Sequence, residues 1–574
     1  MRLPLLAGVL ALCASAGSSL AQSQTFRSQA GDIAVETVAT GLVHPWGLAF
    51  LPDGRMLVTE RPGRLRIVTR DGKLSAALAG VPKVFASGQG GLLDVIVDRS
   101  FAQNRIIYLC YAEPVSGGAR TTMARARLAD GEPPRLEEVK AIFQQEGPLS
   151  SGNHFGCRIV QMPDNNLFLT MGDHYSPRDE AQNLANHLGK IVRVRPDGSV
   201  PPDNPFVGRP RAKPEIWSYG HRNSQGAALN PASGRFWMHE HGPRGGDEIN
   251  IPEAGKNYGW PVIGYGIDYS GAKIHESTHK EGMEQPIYQW TPVIAPSGMA
   301  FYQGDLFRKW KGNLLVGGLV CRCVARLELD GDKVTKEERL LRELNERIRD
   351  VRAGPDGALW LLTDNAAGRV LRVVPAWLAG AGGALAGPND EFLACIFPES
   401  ARPEQVIQTC SKLLNAKGGN DEARAAALLS RGNMYRRTRQ FNLALADYDA
   451  ALRLDANSAA LYTSRGNAWR GKRDHERALA DHDAAIKLDH NYAEAFSNRG
   501  NVHSDKRDYD RAIADYDKAI ELKPDYAVAL YNRGLAWKAK GDRARAVADY
   551  RQALKSDAKL SQAAAALKTL GENP

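Results

Sequence analysis

The chain has 574 residues, of which 43% are hydrophobic and 24% are charged, and its formal net charge is +9. This length predicts at least two domains, and the composition is ordinary for soluble globular protein. No segment after the N-terminus has the uninterrupted apolar length of a transmembrane helix.

The N-terminus is predicted to be a secretory signal peptide, residues 1–21. Arg2 supplies the positive charge, and residues 3–16 are mostly apolar. A small-x-small cleavage site ends at Ala21, directly before Gln22. The apolar run is too short to span a bilayer. We therefore expect a mature protein that is periplasmic or secreted.

One pattern recurs through the first part of the chain: an apolar strand, a turn of the Pro-Asp-Gly kind and a second apolar strand. The copies lie at residues 48–58, 92–111, 161–170, 228–238, 299–319 and 351–362. Six roughly evenly spaced copies without a long helical run predict an all-β, six-bladed β-propeller over residues 30–375. A pair of β-sandwiches is the alternative, and the even spacing argues against it.

Polar clusters lie between or beside these strands. They occupy residues 87–94, 152–156, 220–226, 239–250 and 347–350. Propeller loops gather at one end of the central channel, so these clusters could share one mouth. Arg347 and Arg349 are two residues apart, which places both guanidinium groups on one side of a strand. That arrangement suits a ligand with several carboxylates.

The loop at 239–250 combines glycines, a proline and acidic residues. Glycines such as Gly242 allow sharp turns, and exposed carbonyls close to Glu248 are the hard oxygen ligands that calcium prefers. A purely structural Gly-rich loop is the alternative. His239 and His241 could indicate zinc, but a zinc site needs a third nitrogen or sulfur ligand.

Six motifs in this order give the chain a family resemblance. They are GQGGLLDV, NHFG, GHRN, HEHGPRGGDEIN, NYGWP and ERIRDV. Together they resemble the soluble PQQ-dependent aldose sugar dehydrogenases, and the resemblance covers residues 37–375. Any one motif alone would be weak, whereas six in the same order are specific.

The resemblance implies a site as well as a fold. His154 would be the general base that takes the proton of the sugar's C1 hydroxyl while C1 passes hydride to the quinone. A capping or structural role is the alternative for a single His in a Gly-rich loop. The resemblance implies that PQQ is held by Gln89, Arg222, Asn223, Tyr269, Arg347 and Arg349.

Calcium is the second implied cofactor. The carbonyls of Gly242 and Pro243 would bind a calcium ion that polarises the quinone. Glu248 and the carbonyl of Tyr258 would bind a second, structural calcium ion.

Two positions depart from the family pattern. Glucose-specific relatives carry a lysine that meets a cofactor carboxylate, whereas the matching position here is Val320. Arg322 is the candidate substitute, and the change argues against assuming glucose as the substrate. Cys157 stands where the family usually has glycine.

Seven cysteines are present, and six remain once Cys13 is removed with the signal peptide. Export permits disulfides. Cys395 and Cys410 are the most plausible pair, because they are close in sequence and flank the start of a helix. Cys321 and Cys323 would point the same way in a strand, so we expect that they do not bond to each other.

The chain changes character after an Ala/Gly-rich linker at residues 376–389. Gly432, Gly466, Gly500 and Gly534 recur every 34 residues, and small and aromatic residues follow each glycine at fixed distances. This period resembles tetratricopeptide repeats and predicts an all-α solenoid over residues 390–570.

Most of the net charge lies in this second part. From Ala401 onward there are 30 Lys and Arg residues against 23 Asp and Glu residues, a net charge of +7. A solvated helical surface explains this charge most simply. The functional alternative is a surface for protein–protein interaction that recruits an acidic partner. A nucleic-acid partner is not expected, because the chain has no aromatic-basic binding motif.

The sequence therefore predicts a periplasmic quinoprotein that oxidises aldose sugars of the glucose/sorbosone type to lactones, with a tetratricopeptide tail. One alternative is a propeller and repeat protein that only binds, and another is a calcium-dependent sugar-lactone hydrolase. The sugar and the natural electron acceptor stay unidentified.

Overall fold

The computed structural model describes residues 23–376 apart from 130, 132, 148, 150 and 151, together with 378, 395, 402–415, 421–557 and 560–573. The described residues fall into two compact units divided after Ala376. The predicted signal peptide at 1–21 and nearly all of the predicted linker at 376–389 lie outside the described residues. None of the described helices is long and apolar enough to cross a membrane.

In its described residues the first unit contains six β-sheets, the short α-helix α1 Phe101–Asn104 and three 3-10 helices. Its strands are β1 Gln24–Phe26, β2 Ile33–Leu42, β3 Pro45–Phe50, β4 Met56–Glu60, β5 Arg64–Val68, β6 Leu92–Val97, β7 Ile106–Val115, β8 Gly118–Ala129, β9 Arg135–Gln144, β10 Ile159–Gln161, β11 Leu167–Thr170, β12 Lys190–Val194, β13 Ile216–Tyr219, β14 Ser224–Leu229, β15 Phe236–Glu240, β16 Asp247–Asn250, β17 Tyr288–Trp290, β18 Pro296–Phe301, β19 Leu314–Gly318, β20 Cys323–Asp330, β21 Lys333–Leu340, β22 Ile348–Ala353, β23 Leu359–Thr363 and β24 Gly368–Pro375.

Each sheet is one blade of a propeller, which confirms the predicted architecture. Five blades are formed by consecutive strands: β3–β5, β6–β9, β10–β13, β14–β17 and β18–β21. The sixth has the order β1-β2-β24-β23-β22. There the N-terminal β2 pairs antiparallel with the C-terminal β24, from Ile33 opposite Pro375 to Leu42 opposite Gly368. This pairing closes the ring and leaves the two ends of the propeller in one sheet.

The six copies of the sequence pattern form the first hairpin of five blades and the β22–β23 hairpin of the sixth. In the two Pro-Asp-Gly turns, Gly54 and Gly357 adopt φ of 82° and 75°, a region that glycine enters at little cost. Strands β4 and β23 are buried along their whole length. Apolar side chains from neighbouring blades pack together, as Trp46, Leu93 and Leu169 do in one cluster.

A buried ionic network joins the inner strands of several blades. Arg158 donates from Nη1 to Asp94 at 2.9 Å and lies 3.2 Å from Asp350. Its guanidinium group stacks on the ring of Trp46, 4.3 Å from the centroid. Burial raises the pKa of Asp94, although Arg158 and Arg352 act in the opposite direction. The network fixes the strand that begins just after the loop of His154.

Three disulfides are present among the described residues. The Cys395–Cys410 pair confirms the prediction. The expectation for Cys321 and Cys323 was wrong, because they bond to each other with their Cα atoms 5.3 Å apart. Cys321 precedes β20 and Arg322 has φ of 50°, so the backbone turns and the two side chains converge.

The third disulfide was not predicted. It joins Cys110 on β7 to Cys157 in the loop before β10, and so links two neighbouring blades. Cys157 has φ of 81°, a left-handed conformation that favours glycine. The backbone geometry therefore accounts for the glycine expected at this position, and the disulfide gives the cysteine a role there.

The second unit is helical and contains the tetratricopeptide repeats, as predicted. Its helices are α2 Pro403–Asn415, α3 Asp421–Arg437, α4 Phe441–Leu454, α5 Ala459–Gly471, α6 His475–Leu488, α7 Ala493–Asp505, α8 Tyr509–Leu522, α9 Ala527–Ala539, α10 Arg543–Ser556 and α11 Ser561–Thr569.

The repeated glycines and aromatic residues pack against one another. A Cβ atom on Gly432 would lie 2.7 Å from the ring of Tyr448, and one on Gly500 would lie 2.8 Å from the ring of Tyr516. Both distances are shorter than carbon atoms tolerate, so only glycine lets the two helices of a repeat approach this closely. The 34-residue period is thus a packing requirement that recurs in each helix pair.

Candidate active site

His154 lies in an irregular loop between β9 and β10. His154 and Gly156 have φ of 55° and 65°, so the chain makes a tight left-handed turn there. The backbone N–H of His154 donates to Oε1 of Gln89 at 2.9 Å, and that of Cys157 donates to the carbonyl of Thr170 at 2.7 Å. These contacts hold the loop on both sides of the histidine.

The imidazole of His154 is buried and paired with Asp173. Nδ1 lies 2.7 Å from Oδ1 of Asp173, and Oδ2 of the same carboxylate accepts from Nε1 of Trp260 at 2.7 Å. Burial lowers the pKa of His154 below its ordinary value, although Asp173 opposes this effect. Burial raises the pKa of Asp173, but the contacts with His154 and the charge of Arg222 outweigh it and keep that pKa low. A neutral His154 that donates from Nδ1 to a carboxylate has Nε2 as a free proton acceptor.

His154 lines a cavity of about 320 Å³ together with three other predicted site residues, Arg222, Pro243 and Tyr269. The remaining lining residues are Asp173, Tyr175, Ser176, Arg178, Trp260, Asp268 and Ile274. Tyr269 is 59% exposed and Tyr175 is 44% exposed, which places them at the opening. Arg178 and Asp268 form an ion pair of 3.7 Å there.

Arg222 is a buried cation beside this cavity. Its Nη1 donates to the carbonyls of His241 and Gly242 at 3.0 and 2.9 Å. The guanidinium group stacks on Trp260, 5.2 Å from the ring centroid. Nε is buried and has no hydrogen-bond partner among the described residues. A buried donor without a partner is costly, and a bound anion would satisfy it.

Arg347 and Arg349 point to the same side, as their spacing predicts. Both donate to Oδ2 of Asp364, at 3.1 and 2.8 Å, and Arg349 also reaches Oε1 of Gln225 at 3.3 Å. Burial raises the pKa of Asp364, but the two arginines outweigh it and lower that pKa to about 2. Neither arginine lines the 320 Å³ cavity. Nε of the buried Arg349 has no hydrogen-bond partner within the described part of the chain.

Asn223 and Gln89 contact the loop of His154. Oδ1 of Asn223 accepts from the N–H of Gly156 at 3.3 Å and from Nε2 of Gln225 at 3.1 Å. Nδ2 of Asn223 is buried and, in the described residues, has no partner. Gln89 is exposed, and its Oε1 accepts the hydrogen bond from the backbone N–H of His154. Both amides therefore adjoin the loop of His154.

The four predicted calcium ligands line one small cavity. It has a volume of about 20 Å³, which holds roughly one water-sized particle, and its lining includes Gly242, Pro243, Glu248 and Tyr258. Glu240 also lines it and stands directly opposite Glu248 in the β15–β16 pair. Burial and the neighbouring Glu240 raise the pKa of Glu248 well above its ordinary value.

The predicted ligands have contacts of their own. The Gly242 carbonyl accepts from Arg222, as described above. Oε1 of Glu240 lies 3.0 Å from Nδ1 of His221. Nε2 of His241 lies 2.6 Å from the carbonyl of Pro296. No group of three His, Cys, Asp or Glu side chains within the described ranges is arranged to hold a metal ion.

The position of the expected lysine is at the surface. Val320 is 58% exposed, and Arg322 donates from Nη1 to Oδ1 of Asn345 at 2.6 Å. Arg322 lines neither of the two cavities described above. Its replacement of the lysine stays a prediction.

Comparison with known proteins decides the family. Residues 42–372 match the family model described as Glucose / Sorbosone dehydrogenase. The chain belongs to this family. Residues 493–526 and 527–560 match two tetratricopeptide-repeat models.

Three relatives of this glucose/sorbosone dehydrogenase family member cover its propeller. Aldose sugar dehydrogenase YliI of Escherichia coli is 48% identical over 345 residues, which are 59% of this chain and 92% of that protein. The solved apo-form structure of the soluble aldose sugar dehydrogenase of Escherichia coli is 47% identical, with a TM-score of 0.58, over 60% of this chain and 99% of that one.

The third relative is the PQQ-bound form of the aldose sugar dehydrogenase of Streptomyces coelicolor. It is 30% identical, with a TM-score of 0.50, and the match covers 62% of this chain and 100% of that one. Family membership and these relatives support an oxidoreductase that acts on sugars.

Several residues of this family member's site were missed by the sequence analysis. Asp173, Trp260, Glu240 and Asp364 all contact a predicted site residue. Glu240 and Trp260 stand inside the motifs HEHGPRGGDEIN and NYGWP, so the sequence carried a signal for both. Asp173 comes three residues after the predicted strand that ends at Thr170, where loop residues tend to be functional. Asp364 lay outside every motif, and only its hydrogen bond with Arg349 beside the β22–β23 hairpin identifies it.

Proposed function

We propose that this protein is a periplasmic, PQQ- and calcium-dependent dehydrogenase that oxidises aldoses at C1 to lactones. The observation that carries the proposal is the buried His154–Asp173 pair, which lines the same cavity as the buried cation Arg222. A neutral base and a fixed cation on one cavity wall suit proton removal from a hydroxyl group beside an anionic cofactor.

The residues fit PQQ, which is a flat tricarboxylate. Arg222, Asn223 and Arg349 each carry a buried donor nitrogen without a hydrogen-bond partner among the described residues. A carboxylate satisfies such donors with charge-assisted hydrogen bonds. Gln89, Tyr269 and Arg347 would complete the cofactor contacts.

The residues around the small cavity also fit a cation. Glu240 and Glu248 face each other across two strands, and like charges in directly opposite positions are destabilising. A calcium ion held by Glu248 and the carbonyl of Tyr258 would remove this repulsion, and a separate ion held by the carbonyls of Gly242 and Pro243 would lie beside the cofactor; both would use oxygen ligands only. When bound, PQQ would supply the acceptor for the hydride of C1, and calcium would supply a Lewis acid.

The chain's own part in the reaction is proton transfer. Nε2 of His154 takes the proton of the C1 hydroxyl group, and the Asp173 carboxylate stabilises the imidazolium that forms. Tyr175, Arg178 and Asp268 at the cavity opening would contact the rest of the sugar. The charged pair and the exposed ring suit a neutral polyol surface better than an apolar one.

The test is reconstitution of the purified protein with PQQ and calcium, followed by a panel of aldoses with an artificial electron acceptor. His154→Ala should reduce turnover by roughly 10²- to 10⁴-fold and leave PQQ binding intact. His490→Ala, a change of an exposed histidine in the repeats, is the matched control and should have no effect. Full activity of His154→Ala would refute the role of His154.

Two further measurements separate the alternatives. A protein that binds PQQ but oxidises no aldose would support the binding-protein alternative, and lactone hydrolysis without the cofactor would support the hydrolase. A mature N-terminus at Gln22 after export would support the periplasmic location.

The repeats would mediate protein–protein interaction.

A further inference from the structure

The turn between the two helices of each repeat has a constant backbone conformation. Arg439, Arg473 and Arg507 occupy the same position of three repeats, with φ of 60°, 64° and 62°. The fourth repeat has Gly541 there, with φ of 85°. In all four turns the N–H of this residue donates to the carbonyl three residues earlier, at 2.9 to 3.0 Å.

An arginine is an unfavourable choice for this conformation. The left-handed region disfavours residues with a Cβ atom, and glycine enters it freely. A Cβ atom on Gly541 would meet nothing within 4 Å, so the turn itself gives a larger side chain no packing contact. Three of the four turns nevertheless carry the longest cationic side chain.

The three side chains are also unpaired. All are exposed, and none has a side-chain hydrogen bond or ion pair within the described part of the chain. The arginines inside the helices behave differently. Arg465 donates to both oxygens of Asp481, at 2.7 and 2.9 Å, and to Asp449 at 2.8 Å.

The neighbouring lysines of the turns are engaged as well. Lys472 donates to Asn442 at 2.8 Å, and Lys506 donates to Glu476 at 2.6 Å. Lys540 pairs with Asp510. The three arginines therefore differ from these lysines, which already have partners.

Equivalent positions of successive repeats lie along one edge of a solenoid. We propose that Arg439, Arg473 and Arg507, here called the arginine edge, dock an acidic segment of a partner protein. Guanidinium groups bind carboxylates through paired hydrogen bonds, and one group per repeat suits an extended segment with several carboxylates. The net charge of +7 from Ala401 onward attracts such a segment over a distance.

The arginine edge is independent of the proposed reaction. It requires no cofactor, and its three residues belong to the helical unit alone. Failure of the sugar oxidation assay would leave it untouched, and its own failure would leave the assay untouched.

The test uses the full chain and two triple variants. The first replaces the arginine edge by glycine: Arg439→Gly, Arg473→Gly and Arg507→Gly. The second is a control that removes the same charge from exposed residues near the C-terminal end of the second helix of three repeats: Arg453→Gln, Lys487→Gln and Lys555→Gln. The probe is a fluorescent peptide of alternating Glu and Ser, and the readout is its anisotropy at low and at physiological salt.

The glycine variant should bind the peptide about 3- to 100-fold more weakly than the unchanged protein, the range expected for three exposed ion pairs. The control variant should stay within about twofold of the unchanged protein. The melting temperature of the glycine variant should not fall, because glycine suits these turns better.

Three outcomes would overturn the proposal. Equal weakening in both variants would show a general charge effect. Unchanged binding by the glycine variant would show that the arginines do not contact the peptide. Binding of vesicles with anionic lipid in the absence of any peptide binding would assign the edge to a membrane surface.

Discussion

The Asp173 carboxylate is expected to position His154 and to stabilise its charged form during proton transfer. Asp173→Asn keeps the size of the side chain and removes its charge. The bond between His154 and Asp173 is 2.7 Å long and buried, and a hydrogen bond to a charged group is worth about 1.5 to 3 kcal/mol. Loss of that energy in the transition state should lower kcat by roughly 10- to 150-fold.

The pH dependence gives a second, independent readout. Burial lowers the pKa of His154 and Asp173 raises it, so removal of the Asp173 charge should lower that pKa further. The base must be neutral, and activity is lost as the pH falls through its pKa. The acid limb of the kcat/KM profile should therefore move to lower pH in Asp173→Asn.

The assay is steady-state oxidation of an aldose by protein loaded with PQQ and calcium, over a range of pH. Asp268→Asn is the control, because Asp268 lines the same cavity without contacting His154. It should leave the acid limb unchanged. Bound PQQ, measured by absorbance, shows that each variant retains its site. An Asp173→Asn variant with unchanged kcat and an unchanged pH profile would refute the pairing.

Three further predictions concern the metal, a disulfide and the repeats. Exhaustive chelation of calcium should abolish activity and lower the melting temperature, because Glu240 and Glu248 then face each other without a cation. If neither activity nor melting temperature changes, the site holds no calcium. The double variant Cys110→Ala, Cys157→Gly should melt at a higher temperature than the double variant Cys110→Ala, Cys157→Ser. A residue with a Cβ atom at φ of 81° destabilises the folded state by about 1 to 2 kcal/mol, and glycine avoids this cost. Equal melting temperatures would contradict this reasoning. His482→Tyr should stabilise the repeats by about 1 to 3 kcal/mol in denaturant unfolding, because both ring nitrogens of this buried residue lack partners among the described residues and a phenol could reach Asn467. A lower midpoint would show that the site cannot take the larger ring.

The basis of the last prediction is the same position in two other repeats. The hydroxyl groups of Tyr448 and Tyr516 donate to Asn433 and Asn501, at 2.9 and 2.8 Å. In the last repeat Leu535 replaces the asparagine, and the hydroxyl group of Tyr550 has no partner in the described residues. Each of the two repeats that lack this hydrogen bond therefore carries a substitution at one of its two positions: His482 replaces the tyrosine, and Leu535 replaces the asparagine.

The architecture was predictable because its signals are local. A blade hairpin needs alternating apolar residues and a turn, and both lie within about ten residues of each other. Gly54 and Gly357 mark such turns in the sequence as clearly as in the structure. The 34-residue period of Gly432 and its equivalents is likewise a local packing requirement repeated along the chain.

The prediction for Cys321 and Cys323 failed because of the backbone conformation of the single residue between them. The prediction assumed a regular strand, in which residues two apart point the same way but stay too far apart to bond. The left-handed Arg322 breaks that regularity. A single residue with unusual backbone angles leaves no clear mark in the sequence.

The sequence by itself determined the six hairpins and the repeat solenoid, because each depends on residues that are neighbours along the chain, whereas the predicted role of His154 as general base came from the family resemblance of its motif. Only the tertiary structure decided which groups surround that base. Asp173 reaches His154 from a different loop, and Cys110 reaches Cys157 from the neighbouring blade. Such pairings depend on backbone paths that no local periodicity encodes, and so the surroundings of His154 follow only from the tertiary structure.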